Sequence, residues 1–298
     1  MIKGIIIKAI SGFFYVEIGE KIYECKARGL FRKKKMIPLV GDIVEISVVD
    51  EEELKGVIEK IYPRKSELVR PPVANVDKII VTFAVKEPKP NLSLLDRFLV
   101  FSEREGLDIV ILLTKIDLDE NMEITKYIKK EFENVGYKVI EVSVETGENI
   151  DKVISELEGK ISVFAGQSGV GKSSIINAIE PNFNLKTAQI SQKLGRGKHT
   201  TRHAQLYKIG KNAIIADTPG FSSFDINDIE EEELKEYFIE FSHGNDKCRF
   251  GSKCIHRNEP DCWVKKSVES GKISKRRYES YLQILDEINN IKLKNWRK

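Results

Sequence analysis

Cysteine, tryptophan, methionine and histidine are scarce in this chain: 4 Cys, 2 Trp, 3 Met and 4 His among 298 residues. Four cysteines cannot staple a disulfide-dense secreted scaffold. Long apolar runs are missing too, and none approaches the roughly 20 residues that span a bilayer. The start, Met1-Ile2-Lys3-Gly4, lacks the apolar segment and cleavage site of a secretory signal, so a cytoplasmic protein without membrane contact is expected. Charge of one sign is not in excess: 49 Lys+Arg against 46 Asp+Glu leave +3, which does not by itself announce nucleic acid. With 41% hydrophobic and 32% charged residues, the composition is that of a soluble globular protein with room for more than one domain.

What is present is unevenly placed. Arg28, Arg32, Lys33, Lys34 and Lys35 crowd the start. Lys265, Lys266, Lys272, Lys275, Arg276, Arg277, Lys292, Lys294, Arg297 and Lys298 crowd the end. Two basic ends around a more acidic middle suggest contact with a large polyanion. Solvated helix faces account for either cluster alone equally well.

Residues 4–10, 12–18, 21–27, 43–48 and 57–61 read as strands, with Gly19-Glu20 as a turn. Short strands in that number fit a small OB-type barrel, whose open face can take single-stranded or looped RNA. A barrel serving only as a spacer is the other reading. Phe13, Phe14 and Tyr15 are expected to be partly core rather than a stacking platform, because consecutive strand residues face opposite ways. Residues 62–66 and Arg70-Pro71-Pro72 break the pattern with proline and charge, and read as a linker. Strands at 76–85, 108–113, 138–142, 160–165 and 213–216 then alternate with helices at 92–105, 124–135 and 150–157. Apolar strands separated by helices predict a mostly parallel sheet covered on both faces. An acidic helix start at 228–234 follows, then a cysteine-rich stretch. A basic helix at about 274–293 closes the chain, its stripe of Tyr278, Tyr281, Leu282, Leu285, Ile288 and Ile291 expected to be the buried face.

The chemistry sits in four motifs. Gly166-Gln167-Ser168-Gly169-Val170-Gly171-Lys172-Ser173, with Ser174 behind it, is a complete phosphate-binding loop between a strand and a helix. Its glycines let the backbone approach phosphate, its N–H groups cradle the anion, Lys172 reaches the β- and γ-phosphates and Ser173 ligates Mg²⁺. Thr114-Lys115-Ile116-Asp117 closes a buried strand, where ligands bind in open α/β sheets. Asp117 can accept from the ring N–H and exocyclic amine of guanine, and adenine offers neither, so an ATP-dependent enzyme is disfavoured. Lys115 packs over the base, and Ser143-Val144 after the next strand is placed to meet the guanine carbonyl. Asp217-Thr218-Pro219-Gly220 has the D-x-x-G pattern, with Asp217 for Mg²⁺ and the Gly220 N–H for the γ-phosphate. Between loop and sensor lies the Gly-rich, basic stretch 195–202, in which Thr201, in preference to Thr200, is expected to cover Mg²⁺. Phe221 stands where Ras-type enzymes carry the water-orienting Gln, so another residue must supply that function. His199 is the best internal candidate; a phosphate-facing or solvent-exposed His199 without a catalytic role stays open. Cys248, Cys254, His256 and Cys262 form C-x5-C-x-H-x5-C, a donor set for one closed, structural Zn²⁺.

Base reader, phosphate loop and sensor occur in rotated order, as in a circularly permuted GTPase. The expected architecture is an all-β OB-fold barrel at 1–65, a permuted α/β P-loop GTPase domain at 66–226 and a mainly α zinc-binding domain at 227–298. In motif order, in the His199-Thr200-Thr201 and Asp217-Thr218-Pro219-Gly220-Phe221 segments, and over nearly its whole length, the chain resembles the RsgA family (also called YjeQ or YloQ). That resemblance implies a bacterial GTPase acting on the small ribosomal subunit and its rRNA late in maturation. It further implies hydrolysis stimulated by the subunit and coupled to release, with His199 in the hydrolytic step. The family's knuckle usually has four residues between its first two cysteines, and this chain has five. A monomer is expected. A nucleotide-gated RNA-binding module with incidental hydrolysis is the alternative.

Overall fold

The computed structural model describes residues 1–33, 36–69, 72–181, 204–210, 212–217, 226, 229–248 and 250–296. The first strands are β1 (Ile2–Ile10), β2 (Phe13–Ile18), β3 (Lys21–Ala27), β4 (Ile43–Asp50) and β5 (Lys55–Ile61). β2 pairs antiparallel with β1 and β3, β3 runs parallel to β5, β5 pairs with β4, and β4 returns to β1. The sheet therefore closes into the expected OB-fold barrel. Ile6, Val16, Cys25, Val44, Ile46 and Ile58 fill it, all fully buried. A short helix, α1 (Gly29–Lys33), joins β3 to the 36–42 segment, which the sequence pattern did not suggest.

Arg70 and Pro71 of the expected linker lie outside the described residues, and the chain on either side of them is folded. β6 (Glu67–Val69) and β7 (Pro72–Ala74) pair antiparallel, with Leu68, Val73 and Ala74 buried. Arg64 donates to both oxygens of the fully buried Asp42, at 2.7 and 2.8 Å, and to the Ile37 carbonyl at 2.7 Å. Asn75 Nδ2 donates to the Gly41 carbonyl at 2.8 Å. Gly41 has φ +92°, and a Cβ there would fall 2.0 Å from the Ala74 carbonyl oxygen, so only glycine permits this approach. Proline and charge in this stretch make a packed joint, not a tether.

The central sheet contains β8 (Lys78–Ala84), β9 (Asp108–Thr114), β10 (Lys138–Val142), β11 (Ile161–Ala165), β12 (Gln205–Ile209) and β13 (Ala213–Asp217). Its spatial order is β10-β9-β8-β11-β13-β12. The pairs from β10 to β13 are parallel, and β12 lies antiparallel to β13. Helices α2 (Leu92–Arg104) and α3 (Glu123–Val135) cover one face through Leu95, Phe98, Ile128 and Phe132. Helices α4 (Ile150–Leu157) and α5 (Lys172–Ile179) cover the other through Val153, Leu157, Ile175 and Ile176. Burial on both faces explains why β8 reads as a run of apolar residues rather than an alternation. β12 was not evident from the sequence. It joins the two sheets: Lys8 of β1 pairs with Gln205, and Lys208 bridges to Glu17 at 2.7 Å.

The remaining helices, α6 (Glu231–Leu234), α7 (Trp263–Glu269) and α8 (Lys275–Trp296), pack around Phe238, Phe241, Tyr281, Leu285 and Ile288, with Val100 of α2 in the same cluster. Glu230 and Glu233 form a reciprocal capping box at the start of α6. The predicted apolar stripe of α8 is its packed face, and Ile284 belongs to it as well.

The basic end is not a free surface throughout. Arg277 is 1% exposed and donates to Asp96 Oδ1 at 2.6 Å, and to Glu240 Oε1 and Oε2 at 2.5 and 2.9 Å. Arg276 donates to Asp96 Oδ2 at 2.6 Å and to Glu131 Oε1 at 2.9 Å. Asp96 lies on α2 and Glu131 on α3, so these two arginines fasten α8 to the GTPase helices. Lys266 and Lys292 pair with Asp261 and Glu230.

Candidate nucleotide site and metal knuckle

Thr114 of β9 is level with Ala84 of β8 and Val142 of β10, and Ala165 of β11 pairs with Val81. Val163 pairs with Ala216, one residue before β13 ends at Asp217. The Thr114–Asp117 stretch and the phosphate loop therefore leave the carboxyl edge of one sheet, the edge at which β13 ends at Asp217, although they are far apart in the chain.

The phosphate loop begins where Gly166 crosses β8 with φ +138°; a Cβ there would lie 2.2 Å from the Thr82 carbonyl oxygen. Ser168 and Gly169 are exposed at the tip, Val170 is buried, and Gln167, Ser173 and Ser174 are half-buried. Gly171 is the N-cap of α5 and brings no side-chain cap, so the first-turn N–H groups stay open to an anion. Lys172 Nζ donates to the Gly166 and Gln167 carbonyls, both at 2.6 Å. Burial pulls its ammonium down to about 8. A negative ligand beside it would restore the charged form.

The base-reading loop is tied directly to the phosphate loop. Thr114 is 2% exposed, and its Oγ1 donates to the Val170 carbonyl at 2.5 Å. Lys115 takes a left-handed backbone, φ 57°, and its ammonium donates to the Glu87 carbonyl. Asp117 is exposed, and its Oδ1 accepts from Ser143 Oγ at 2.5 Å. Ser143 is itself buried and accepts from the Thr146 N–H at 3.2 Å, while Val144 stays on the surface beside it. The Ser143 hydroxyl thus holds the Asp117 carboxylate, which the sequence reading did not foresee. Asp119 was missed altogether. Burial would raise its carboxyl, but the Thr125 N–H and hydroxyl, both at 2.8 Å, outweigh burial and hold it low. Asp119 closes the turn that carries Asp117; its signal was a second carboxylate followed by a helix.

His199, Thr200, Thr201, Thr218, Gly220 and Phe221 lie outside the described residues, as does the side chain of Asp217. The backbone of Asp217 is described, paired with Gln205.

In the cysteine-rich stretch, the ligand atoms of Cys254, His256 and Cys262 lie within 4.8 Å of one another, and all three residues are buried. His256 Nδ1 is 3.2 Å from Cys254 Sγ and 3.3 Å from Cys262 Sγ. Cys248, the fourth expected ligand, is half-buried and is not part of that group. Burial pushes the Cys254 thiol up to about 12, and burial with the nearby Lys235 charge holds His256 down to about 4, so a neutral ring faces the sulfurs. Converging soft donors with a neutral imidazole among them fit zinc. The surrounding backbone is held as well: Tyr278 and Tyr281 hydroxyls donate to the His256 and Ile255 carbonyls at 2.7 and 2.6 Å, and Lys235 Nζ to that of Cys254 at 3.0 Å.

A barrel, a P-loop sheet threaded in rotated order and a metal knuckle define a circularly permuted GTPase with two appended units. Comparison with known proteins agrees. The RsgA N-terminal domain model matches residues 3–58, and the RsgA GTPase model matches residues 61–227. The chain is 49% identical over 288 residues to the small ribosomal subunit biogenesis GTPase RsgA of Alkaliphilus metalliredigens, covering 97% of this chain and 98% of that one. It is 48% identical over 294 residues to the RsgA of a Geobacillus species, covering 98% and 99%. Among solved structures, it is similar to YjeQ from Thermotoga maritima (39% identity, TM-score 0.83, 96% and 98% covered). It is also similar to YloQ, described as a circularly permuted GTPase (38% identity, TM-score 0.81, 97% and 96% covered). The chain belongs to the RsgA family and is a GTP hydrolase.

Proposed function

We propose that this protein binds the small ribosomal subunit late in its assembly, that the subunit stimulates GTP hydrolysis, and that hydrolysis releases the protein. The observation carrying the nucleotide half is the Thr114–Val170 hydrogen bond, which makes the base reader and the phosphate cradle one rigid site. The ribosomal half rests on the relatives named for small-subunit biogenesis.

In this reading residues 1–65 meet rRNA, 66–226 hold nucleotide and 227–298 hold metal, and the activity is cytoplasmic. Asp117, steadied by Ser143, accepts from guanine; Lys115 covers the base; Thr114 and Val144 frame it. The N–H groups of 166–171 and the start of α5 hold the phosphates, and Lys172 moves from its loop carbonyls to the β- and γ-oxygens. Ser173, Thr201 and Asp217 would hold Mg²⁺, which neutralises developing phosphate charge. The Gly220 N–H senses the γ-phosphate, and His199 orients the attacking water. Cys248 completes Cys254, His256 and Cys262 as the fourth ligand of one structural Zn²⁺.

The test is single-turnover GTP hydrolysis titrated with purified small subunits, large subunits and naked RNA. Strong acceleration by small subunits alone, followed by dissociation, is expected. Equal rates with and without small subunits would leave a nucleotide-gated RNA binder.

A further inference from the structure

Two aromatic rings on the barrel take no part in the nucleotide or metal sites. Val16 of β2 is fully buried, and Phe14 and Ile18 pack against the same core. Strand alternation therefore puts Phe13 and Tyr15 on the outer face, and both are half-buried there. Of the three aromatics expected to be partly core, Phe14 alone packs inward. Tyr15 stands between Lys8 of β1 and Glu24 of β3, and Phe13 between Ile10 and Lys26. Lys8 Nζ is 5.7 Å from the Tyr15 ring centroid, and Lys26 Nζ is 5.1 Å from that of Phe13. The Tyr15 hydroxyl donates to Glu24 Oε2 at 3.1 Å, which limits the ring's rotation and engages the nearest carboxylate.

We propose that Phe13 and Tyr15 are a stacking platform for two successive unpaired RNA bases, with Lys8 and Lys26 on the adjoining phosphates. The rings are two residues apart on one strand, about 7 Å, a step that an unstacked ribose-phosphate chain can span. Each ammonium lies over one face of its ring; a base would stack on the opposite face, which accepts any base, while the cation takes the backbone. Duplex RNA fits poorly, because its base faces are already stacked. An acidic peptide would use the lysines and leave the rings without a partner. A third ring in this part of the chain is similarly flanked: Tyr62 has Lys3 at 4.7 Å and Lys60 at 4.6 Å from its centroid. Lys3 and Lys8 share β1, about 16 Å apart by strand rise.

This inference rests on the ribosomal reading above and names the RNA feature that the barrel takes. Its test is fluorescence anisotropy of the full-length, zinc-loaded protein with a fluorescein-labelled ten-nucleotide oligoadenylate, and with a labelled RNA duplex of equal length. The single strand should bind more tightly than the duplex. Phe13→Ala and Tyr15→Ala should each weaken single-strand binding about tenfold, while Phe13→Tyr and Tyr15→Phe stay within about twofold. Lys8→Gln and Lys26→Gln should each reduce the slope of log affinity against log salt by about 0.7. The proposal is overturned if the alanine variants bind like the wild type, or if the duplex binds as well as the single strand. Displacement by polyglutamate as effective as by unlabelled oligoadenylate would also overturn it, in favour of an acidic protein. Should the alanine variants fail to fold, the aromatic exchanges and the salt slopes still decide. The assay contains no GTP and no subunits, so its failure leaves subunit-stimulated hydrolysis to stand or fall on its own measurement.

Discussion

Arg277→Met separates the two readings of the basic end, because they predict different losses. The arginine is 1% exposed, makes three short hydrogen bonds to buried carboxylates and lies 5.4 and 5.2 Å from the Phe132 and Phe238 centroids. Methionine keeps much of the stem packing and removes every donor. Asp96 retains Arg276, but the two bonds that Glu240 accepts from Arg277 are gone. Breaking a buried pair from one side costs about 3–5 kcal/mol. Both tryptophans, Trp263 and Trp296, lie in the C-terminal unit, so their fluorescence follows that unit alone. With a urea slope of about 2 kcal/mol/M, its midpoint should fall by about 2 M. Adding Glu240→Leu removes the stranded charge and should return most of the loss. A shift below about 0.5 M, or a double variant as unstable as the single one, would refute the account of Arg277 as a structural clamp. An arginine that merely faced rRNA would instead weaken RNA binding and leave the urea midpoint alone.

Three further outcomes are expected. Thr114→Val leaves the buried Val170 carbonyl without its 2.5 Å donor and should cost about 1–3 kcal/mol, read as weaker binding of fluorescent GDP and GTP alike, whereas Thr114→Ser retains affinity. The Lys172 ammonium titrates near 8 when it faces only its loop carbonyls, and bound phosphates raise it, so nucleotide binding takes up a proton above that pH. GTP affinity should therefore be nearly flat below about pH 7, fall about twofold by pH 8 and about fivefold more between pH 8 and 9, and a flat profile in the wild type would contradict this. Asp117→Asn should lose GTP and gain xanthosine triphosphate, because the amide can donate to the extra carbonyl of xanthine; competition binding with both nucleotides would show an unchanged preference if Asp117 does not read the base.

The features legible in the sequence are those whose physics is local. The phosphate loop is a backbone geometry written into consecutive residues, and the strand before it and helix after it are where the pattern places them. The barrel shows in alternation, and the packed face of α8 in its 3.6-residue period. The features that were hidden depend on partners far along the chain. Arg277 looks like one more surface cation until Asp96, 181 residues away, is placed beside it. The 62–75 joint looks like a linker because its three-residue strands are too short to alternate, and its order comes from Asp42 and Gly41. Ser143 reads as a post-strand serine until its hydroxyl meets Asp117, 26 residues earlier. The outward face of Phe13 and Tyr15 follows only from knowing that Val16 points inward.

The two appended units are attached to different parts of the nucleotide machinery. Along the chain, residues 217–221 lead toward the metal-binding stretch that begins at Cys248. The barrel has its own connection: β12, the strand that directly follows the segment containing His199 and Thr201, is hydrogen-bonded to β1, so a shift of β12 along β13 must shift the barrel strand or break the Lys8–Gln205 pair. The C-terminal unit is held through α2 and α3 instead. Helix α2 starts at its Asn91 cap, four residues after Glu87, whose carbonyl takes the Lys115 ammonium, and one turn later it presents Asp96 to Arg276 and Arg277. One helix and a buried charge network thus lie between the Lys115 contact and α8. β13, which ends at Asp217, is joined to the barrel through β12. Threading the GTPase in rotated order supports this division, since it puts the base-reading strands next to the barrel in sequence and leaves the sensor strands next to it in space.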